Sequence, residues 1–205
     1  MTIVVLAGND EYEALTADPN IIDWIKADEN FTFSKYCEAD AFFILKENIE
    51  VDFAQTDKPV FINSVSITLK QLLAPQQLYR INAWPGFLQR PVWEIAGAAN
   101  DVVFGIATAL NKKLLFVRDE PGLVSAKIIA MIINEAYFAL GEGVSTKNEI
   151  DIAMKLGTNY PYGPFEWAQK IGLKKIYLLL QQLNGTDNRY KPAPLLAAEA
   201  TQHNK

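Results

Sequence analysis

The chain has 205 residues, 50% of them hydrophobic and 21% charged, with a net charge of −5. That is a globular composition for one domain or two small ones, and its acidity argues against nucleic acid or an anionic membrane as partner. Cys37 is the sole cysteine, which excludes an internal disulfide and a cysteine-based metal centre, so no metal is expected. The N-terminus has no basic leader and no apolar run nears the roughly 20 residues of a bilayer span, so the expectation is a soluble, cytoplasmic protein.

In chain order, Thr2–Ala7 reads as a strand ending at Gly8. Ile21, Ile22, Trp24 and Ile25 read as one face of a helix near Ile21–Ala27, followed by a short strand near Phe31–Tyr36. Ala41–Leu45 and Pro59–Ile62 are apolar runs of strand length, and Ile67, Leu69, Leu72 and Leu73 form a second helical face. Leu78–Ala83, Val92–Ile95 and Lys113–Val117 complete the strands, with a helix over Asn100–Leu110 carried by Val103, Ile106, Ala107 and Leu110. Continuous apolar runs fit a sheet buried on both faces. Their alternation with helical patterns predicts an α/β layer with a mostly parallel sheet.

From Asp119 the pattern is helical throughout. Ile128, Ile129, Ile132, Ile133, Ala136, Tyr137 and Leu140 follow the i, i+3, i+4 rule, and Gly141 and Gly143 stop that helix. Thr146 and Glu149 form a capping box for the next helix, which Gly157 is expected to end. Gly163-Pro164 opens another, and Leu173–Leu183 is an apolar helix closed by Asn184-Gly185. Glu199–Lys205 reads as a frayed polar tail.

The helical half carries ordered motifs: Arg118-Asp119-Glu120-Pro121-Gly122, Asn134-Glu135-Ala136, Asp151-Ile152-Ala153-Met154-Lys155-Leu156-Gly157, Tyr160-Pro161-Tyr162-Gly163-Pro164-Phe165-Glu166, and Arg189-Tyr190-Lys191-Pro192-Ala193-Pro194-Leu195-Leu196. In this order they resemble the C-terminal domain of 3-hydroxyacyl-CoA dehydrogenases, enzymes of fatty acid metabolism that oxidise a 3-hydroxyl group with NAD. The resemblance implies an α/β plus all-α chain. A truncated Rossmann-like domain over residues 1–118 would precede a helical dimerisation domain over 119–198 and a tail over 199–205. It also implies a homodimer and an acyl-CoA-like ligand.

The same resemblance identifies what has changed. The family's dinucleotide turn has three glycines, one for the tight turn, one for close approach of the pyrophosphate and one for helix packing. Here the turn runs Gly8-Asn9-Asp10-Glu11-Tyr12-Glu13, so Asp10 and Glu13 replace two glycines and oppose a pyrophosphate by charge. Asp28 has the spacing of the ribose-binding acid, yet reads as a surface turn residue after a helix. The family's first helix, second strand and third strand would have to fit between Tyr12 and Ala39, which has room for about one helix and a short strand. No cofactor is therefore expected.

The family pairs a catalytic histidine with a glutamate twelve residues later. Counting back from Glu94 gives Asn82, and the single histidine of the chain is His203. An amide has no useful basicity, so Asn82 cannot take up the hydroxyl proton. The family's substrate-orienting asparagine falls on Ala126, and its serine on Ser64, which reads equally as a turn or helix-capping residue. Ser64, Asn82, Glu94 and Ala126 are thus relic catalytic positions, with Gly8, Asp10 and Glu13 the relic cofactor loop. Trp84, Phe87 and Trp93 are aromatic candidates for lining the old site or for plain core packing. Asn82 and Glu94 are expected side by side in a groove between the domains, with Trp84 or Trp93 beside them. The implied protein is a non-catalytic relative that binds acyl-CoA or a partner. The alternatives are a functional dehydrogenase, or altered chemistry with Glu94 as base. Asn82→His alone is not expected to restore oxidation, because the Gly8–Glu13 cofactor turn remains defective.

Overall fold

The computed structural model describes residues 1–18, 21–46 and 51–202. The chain divides into two compact units, Met1–Leu123 and Val124–Lys205. The first holds a seven-stranded sheet in the order β2-β1-β3-β4-β5-β6-β7. Its strands are β1 (Thr2–Leu6), β2 (Asp23–Lys26), β3 (Ala41–Ile44), β4 (Val60–Asn63), β5 (Leu78–Ile81), β6 (Val92–Ala96) and β7 (Lys113–Phe116). Every pairing is parallel except β5 with β6. The run β2-β1-β3-β4-β5 is a doubly wound order that reverses between β1 and β3, where such sheets bind ligands outside their carboxyl ends.

Successive side chains on a strand leave opposite faces, so an unbroken apolar run feeds two cores. Val5, Phe43, Phe61, Tyr79, Ile81 and Ile95 build one, which helix α1 (Asn9–Thr16) meets through Leu15 and helix α2 (Asp101–Ala109) through Val103 and Ile106. Val4, Phe42, Ile44, Val60, Ile62 and Leu78 build the other, covered by Ala27, Phe33 and the half-buried Phe53 and Leu69. Asn100 caps α2 by accepting from the Val103 amide at 3.0 Å.

Three expectations for this half are corrected. Residues 23–26 form β2, not a helix, and pair with β1 from Thr2↔Asp23 to Val5↔Lys26. Ile22 and Trp24 meet one core and Ile25 the other, which is the period of a strand. Phe33–Tyr36 is a turn of 3-10 helix, not a strand; its rings and Phe31 pack as an aromatic cluster, with Phe33 edge-on to Phe42 at 4.8 Å. Residues 65–73 are turns rather than a helix, with Leu73 at φ 49° and exposed. The helix and second strand after Gly8 are present as α1 and β2, and among the described residues β2 is the outermost strand on that side.

The second unit comprises α3 (Ser125–Gly141), α4 (Lys147–Thr158), α5 (Pro164–Ile171), α6 (Leu173–Asn184) and α7 (Pro194–Gln202). Ala126, Ile129, Ala130, Ile133, Ala136 and Tyr137 form the buried stripe of α3. The capping box at Thr146 and Glu149 is formed. Gly157 lies inside α4, which ends instead at Asn159 in the left-handed conformation at φ 56°.

Several motif residues have structural tasks here. Asp151 accepts from the amides of Phe165 at 2.8 Å and Glu166 at 3.2 Å, closing the start of α5. A Cβ on Gly163 would stand 2.4 Å from the Asp151 carboxyl carbon, so only glycine fits there. Asn134 clamps the closing motif, donating to the Lys191 carbonyl at 2.9 Å and accepting from the Ala193 amide at 2.8 Å. Glu199 accepts from the Tyr137 hydroxyl and pairs with Lys147, so the segment expected to fray at Glu199 is helical through Gln202. His203 lies outside the described residues. The division after Leu123, rather than at Asp119, follows from Asp119 pairing with Arg80 and from the Gly122 amide donating to the Val65 carbonyl. Among the described residues no helix is long and apolar enough to cross a membrane.

Candidate active site

Strand register brings three of the relic positions into one row. The β4–β5 pairing runs from Val60↔Leu78 to Asn63↔Ile81, so the next residue pair is Ser64 beside Asn82. The antiparallel β5–β6 pairing includes Arg80↔Ala96 and Ile81↔Ile95, so the next pair is Asn82 opposite Glu94. Paired residues share a face, and neighbouring strands lie about 4.8 Å apart. Ser64, Asn82 and Glu94 therefore follow one another across the carboxyl end of the parallel strands, on the face that carries Arg80.

The turn after β5 shapes this row. The Asn82 side-chain oxygen accepts from the Trp84 amide at 3.0 Å, the local turn that short polar side chains favour. Trp84, Phe87 and Trp93 are all buried, and the Trp93 indole donates to the Leu88 carbonyl at 2.9 Å. Trp93 belongs to the opposite face, where it meets Phe43, so it does not stand beside the Asn82–Glu94 pair. Asn82 is 6% exposed and Glu94 half-buried. Ser64 caps no helix; its hydroxyl donates to the Ile67 carbonyl at 2.7 Å. Ala126 is fully buried near the start of α3, in the second unit.

Arg80 is a polar centre that the sequence reading passed over. Its side chain is wholly buried and is bonded to the Asp119 carboxylate and to the carbonyls of Ser64, Val65 and Glu120. Desolvation lowers the guanidinium pKa, against the opposing pull of Asp119. Burial acts to raise the Asp119 pKa, but hydrogen bonds from the Leu69 amide, Arg80 and the Lys70 amide outweigh it and hold the carboxyl below its ordinary value. An arginine inside the apolar run Leu78-Tyr79-Arg80-Ile81 was the available signal.

At the other end of the carboxyl edge, Gly8 sits between β1 and α1 at φ −66°, ψ 174°. Asp10 and Glu13 are exposed, and Asp10 and Glu11 occupy the first turn of α1, where negative charge favours the helix. The Glu11 carboxylate folds back so that a Cβ on Gly8 would be 2.5 Å from its Oε2. Asp28 follows β2 by two residues, is exposed, and accepts from the Asn30 amide at 2.9 Å.

The family model described as 3-hydroxyacyl-CoA dehydrogenase, C-terminal domain, matches residues 122–204. The 3-hydroxyadipyl-CoA dehydrogenase of Escherichia coli (strain K12) is 39% identical over 131 residues, covering 55% of this chain and 28% of that protein. A 3-hydroxybutyryl-CoA dehydrogenase of Clostridioides difficile is 39% identical over 99 residues, 47% of this chain and 35% of that protein. The chain thus spans only 28% to 35% of these relatives' lengths. In overall fold it is similar to the crystal structure of (S)-3-hydroxybutyryl-CoA dehydrogenase from Ralstonia eutropha, with a TM-score of 0.68 and 19% identity over 96% of this chain and 92% of that one.

These relatives overturn the expectation of no cofactor. They are dehydrogenases, whose chemistry requires a hydride acceptor, and they point to NAD. The physical error lay in β2. Read as a helix, residues 21–27 left Asp28 on an unrelated surface turn; as a strand, they bring it to the carboxyl end of β2, twenty residues after Gly8. That is where an acid meets a ribose in dinucleotide folds. The charge of Asp10 and Glu13 is one contribution opposing a pyrophosphate and does not by itself exclude the cofactor.

Proposed function

We propose that this chain, whose helical unit belongs to the 3-hydroxyacyl-CoA dehydrogenase family, holds NAD and an acyl-CoA-type thioester at the carboxyl edge of its sheet, with hydroxyl oxidation largely lost. One observation carries the reading: Ile81 pairs with Ile95 in the β5–β6 register, which makes Asn82 and Glu94 the next two residues in line. The glutamate that would orient an imidazole is retained, and the residue facing it is an amide that cannot accept a proton at neutral pH.

The residues at the cofactor end fit a dinucleotide in outline. Gly8 leads from β1 into the N-terminus of α1, beside the reversal of strand order, and Asp28 ends β2. Gly8, the first turn of α1 and Asp28 would hold NAD, which supplies the hydride acceptor when bound. At the other end the Asn82 amide would donate to a 3-oxo oxygen, and the Ser64 hydroxyl oxygen, whose proton goes to the Ile67 carbonyl, would accept from a 3-hydroxyl. The Glu94 carboxylate can accept a hydrogen bond, but among the described residues there is no histidine for it to orient.

The family resemblance further supports a homodimer through the helical unit. Exposed Ile128, Ile152 and Leu156 on α3 and α4 provide apolar surface for it. Sedimentation at micromolar concentration checks this, with a species of twice the chain mass as the expected result.

The central test is a pair of titrations on the full chain. NADH fluorescence should give a dissociation constant below about 100 μM, or roughly 5.5 kcal/mol of binding. Calorimetry with 3-oxobutyryl-CoA should give a specific, saturable signal. Heat that never saturates would remove the acyl-CoA assignment, and rapid NADH formation from 3-hydroxybutyryl-CoA by the unmodified chain would remove the loss of oxidation.

A further inference from the structure

We propose that Arg80 is a positioning residue for the acyl-ligand site, holding the Ser64 end of β4 in register with Asn82 and Glu94. The proposal rests on the reading of that row as an acyl-CoA site. Arg80 lies in the middle of the sheet at 0% exposure, on a strand whose neighbours Leu78, Tyr79 and Ile81 are buried and apolar. An aliphatic residue would satisfy packing there at no electrostatic cost, whereas a buried guanidinium must be paid for by near-complete pairing. Pairing is what it has.

Its Nε donates to the Ser64 carbonyl at 2.7 Å and its Nη2 to the Val65 carbonyl at 2.8 Å. Both Nη atoms reach the Glu120 carbonyl at 3.3 Å, and Nη1 also meets the Asp119 carboxylate. Asp119 in turn accepts from the amides of Leu69 at 3.0 Å and Lys70 at 3.2 Å, while the Val65 carbonyl also accepts from the Gly122 amide at 2.8 Å.

Two segments, 64–70 and 119–122, are thus clasped by one side chain rooted in β5. Asn82 lies two residues beyond Arg80, just past the end of β5, so one residue ties the strand that leads into Asn82 to the Ser64 carbonyl. Turns over 65–73 have no helix to fix them; the clasp holds the Ser64 backbone, and the bond from the Ser64 hydroxyl to the Ile67 carbonyl then sets its side chain. A lysine keeps the charge but has no planar fork to span three carbonyls and a carboxylate.

The test measures 3-oxobutyryl-CoA binding by calorimetry for the full chain and for Arg80→Lys, Ser64→Ala and the double variant, with thermal melts in parallel. Arg80→Lys should keep a cooperative melt and bind about tenfold more weakly or worse. Adding Ser64→Ala should then change affinity less than about threefold, because a misplaced hydroxyl has little left to lose. A residue that merely supported the fold would give independent, multiplying losses. Multiplying losses, or Arg80→Lys binding like the unmodified chain, overturns the role. Should Arg80→Lys not fold, Asp119→Asn replaces it: the side-chain oxygen for Leu69 remains while the ion pair goes, with the same non-additivity expected and the same outcomes decisive. An unmodified chain that does not bind the thioester defeats the acyl-CoA reading itself, which separates that failure from one confined to Arg80.

Discussion

The two ends of the sheet's carboxyl edge have diverged in different ways. At the β4–β6 end, backbone pairing runs up to Asn63, Ile81 and Ile95, the neighbours of Ser64, Asn82 and Glu94, and on the proposed reading a single exchange of functional group sets the chemistry. At the β1–β3 end the strands are also in place, but three carboxylates, Asp10, Glu11 and Glu13, follow the turn that on the same reading would meet a pyrophosphate. Geometry at both ends is fixed by hydrogen-bonded strands and is robust. Function at one end hangs on one proton acceptor, and at the other on a sum of small charge contributions.

The sharpest probe of this contrast is Asn82→His. With the register intact and NAD as cofactor, an imidazole opposite Glu94 should raise NADH production from 3-hydroxybutyryl-CoA by roughly 10²-fold or more, since a positioned base contributes about 10² to 10⁴. This reverses the expectation drawn from a defective cofactor turn. No gain in a variant that still binds NADH would show that the row lacks working geometry.

A second variant attacks the spacing of β5 and β6. Gly97 has φ +152°, and a Cβ there would lie 2.3 Å from the Tyr79 ring. Gly97→Ala should cost about 3 kcal/mol and lower the melting temperature by roughly 6–12 °C. A melting point within a degree or two of the original would contradict this packing.

At the cofactor end the effects should be smaller. Glu11→Gln removes one negative charge beside Gly8 and should tighten NADH binding by about threefold, in line with 0.3–1 kcal/mol for charges at helix ends. Weaker binding would mean that Glu11 assists the ligand rather than repels it. The smallest expected effect is on acid stability. The Asp119 pKa is depressed in the folded state, so its contribution is complete above the unfolded value near 3.9 and is lost as pH falls through the folded one. Urea denaturation should therefore show this contribution unchanged from pH 8 to about 5 and declining below about 4, with Asp119→Asn flattening that limb.

Much of this contrast was legible in the sequence. The twelve-position step from Asn82 to Glu94 spans the connection between the antiparallel strands β5 and β6, and runs such as Ala41-Phe42-Phe43-Ile44 announced a sheet buried on both faces. The helical unit was readable because its punctuation is chemical: Thr146 with Glu149, and Gly163-Pro164 ahead of Glu166. What could not be read was decided by pairing at a distance. Ile22, Trp24 and Ile25 fit a helix or a strand equally over so short a stretch, and β1 settled the matter by hydrogen bonding. Residues 67–73 carry a helical pattern, yet the amides of Leu69 and Lys70 are taken by Asp119, about fifty positions away in the chain. Arg80 looked like an interruption of a strand because its partners come from two segments distant in the chain, Ser64-Val65 and Asp119-Glu120.

The open ends of the strand order bear on solution behaviour. Among the described residues β2 is one margin of the sheet and β7 the other, each presenting a row of backbone groups to which a second chain could pair. Both margins are four residues long and carry a lysine, Lys26 on one and Lys113 on the other. Short length and a fixed positive charge are the usual deterrents to edge-to-edge aggregation. The task of guarding one border thus falls to β2, a strand whose own side chains are only half-buried at best.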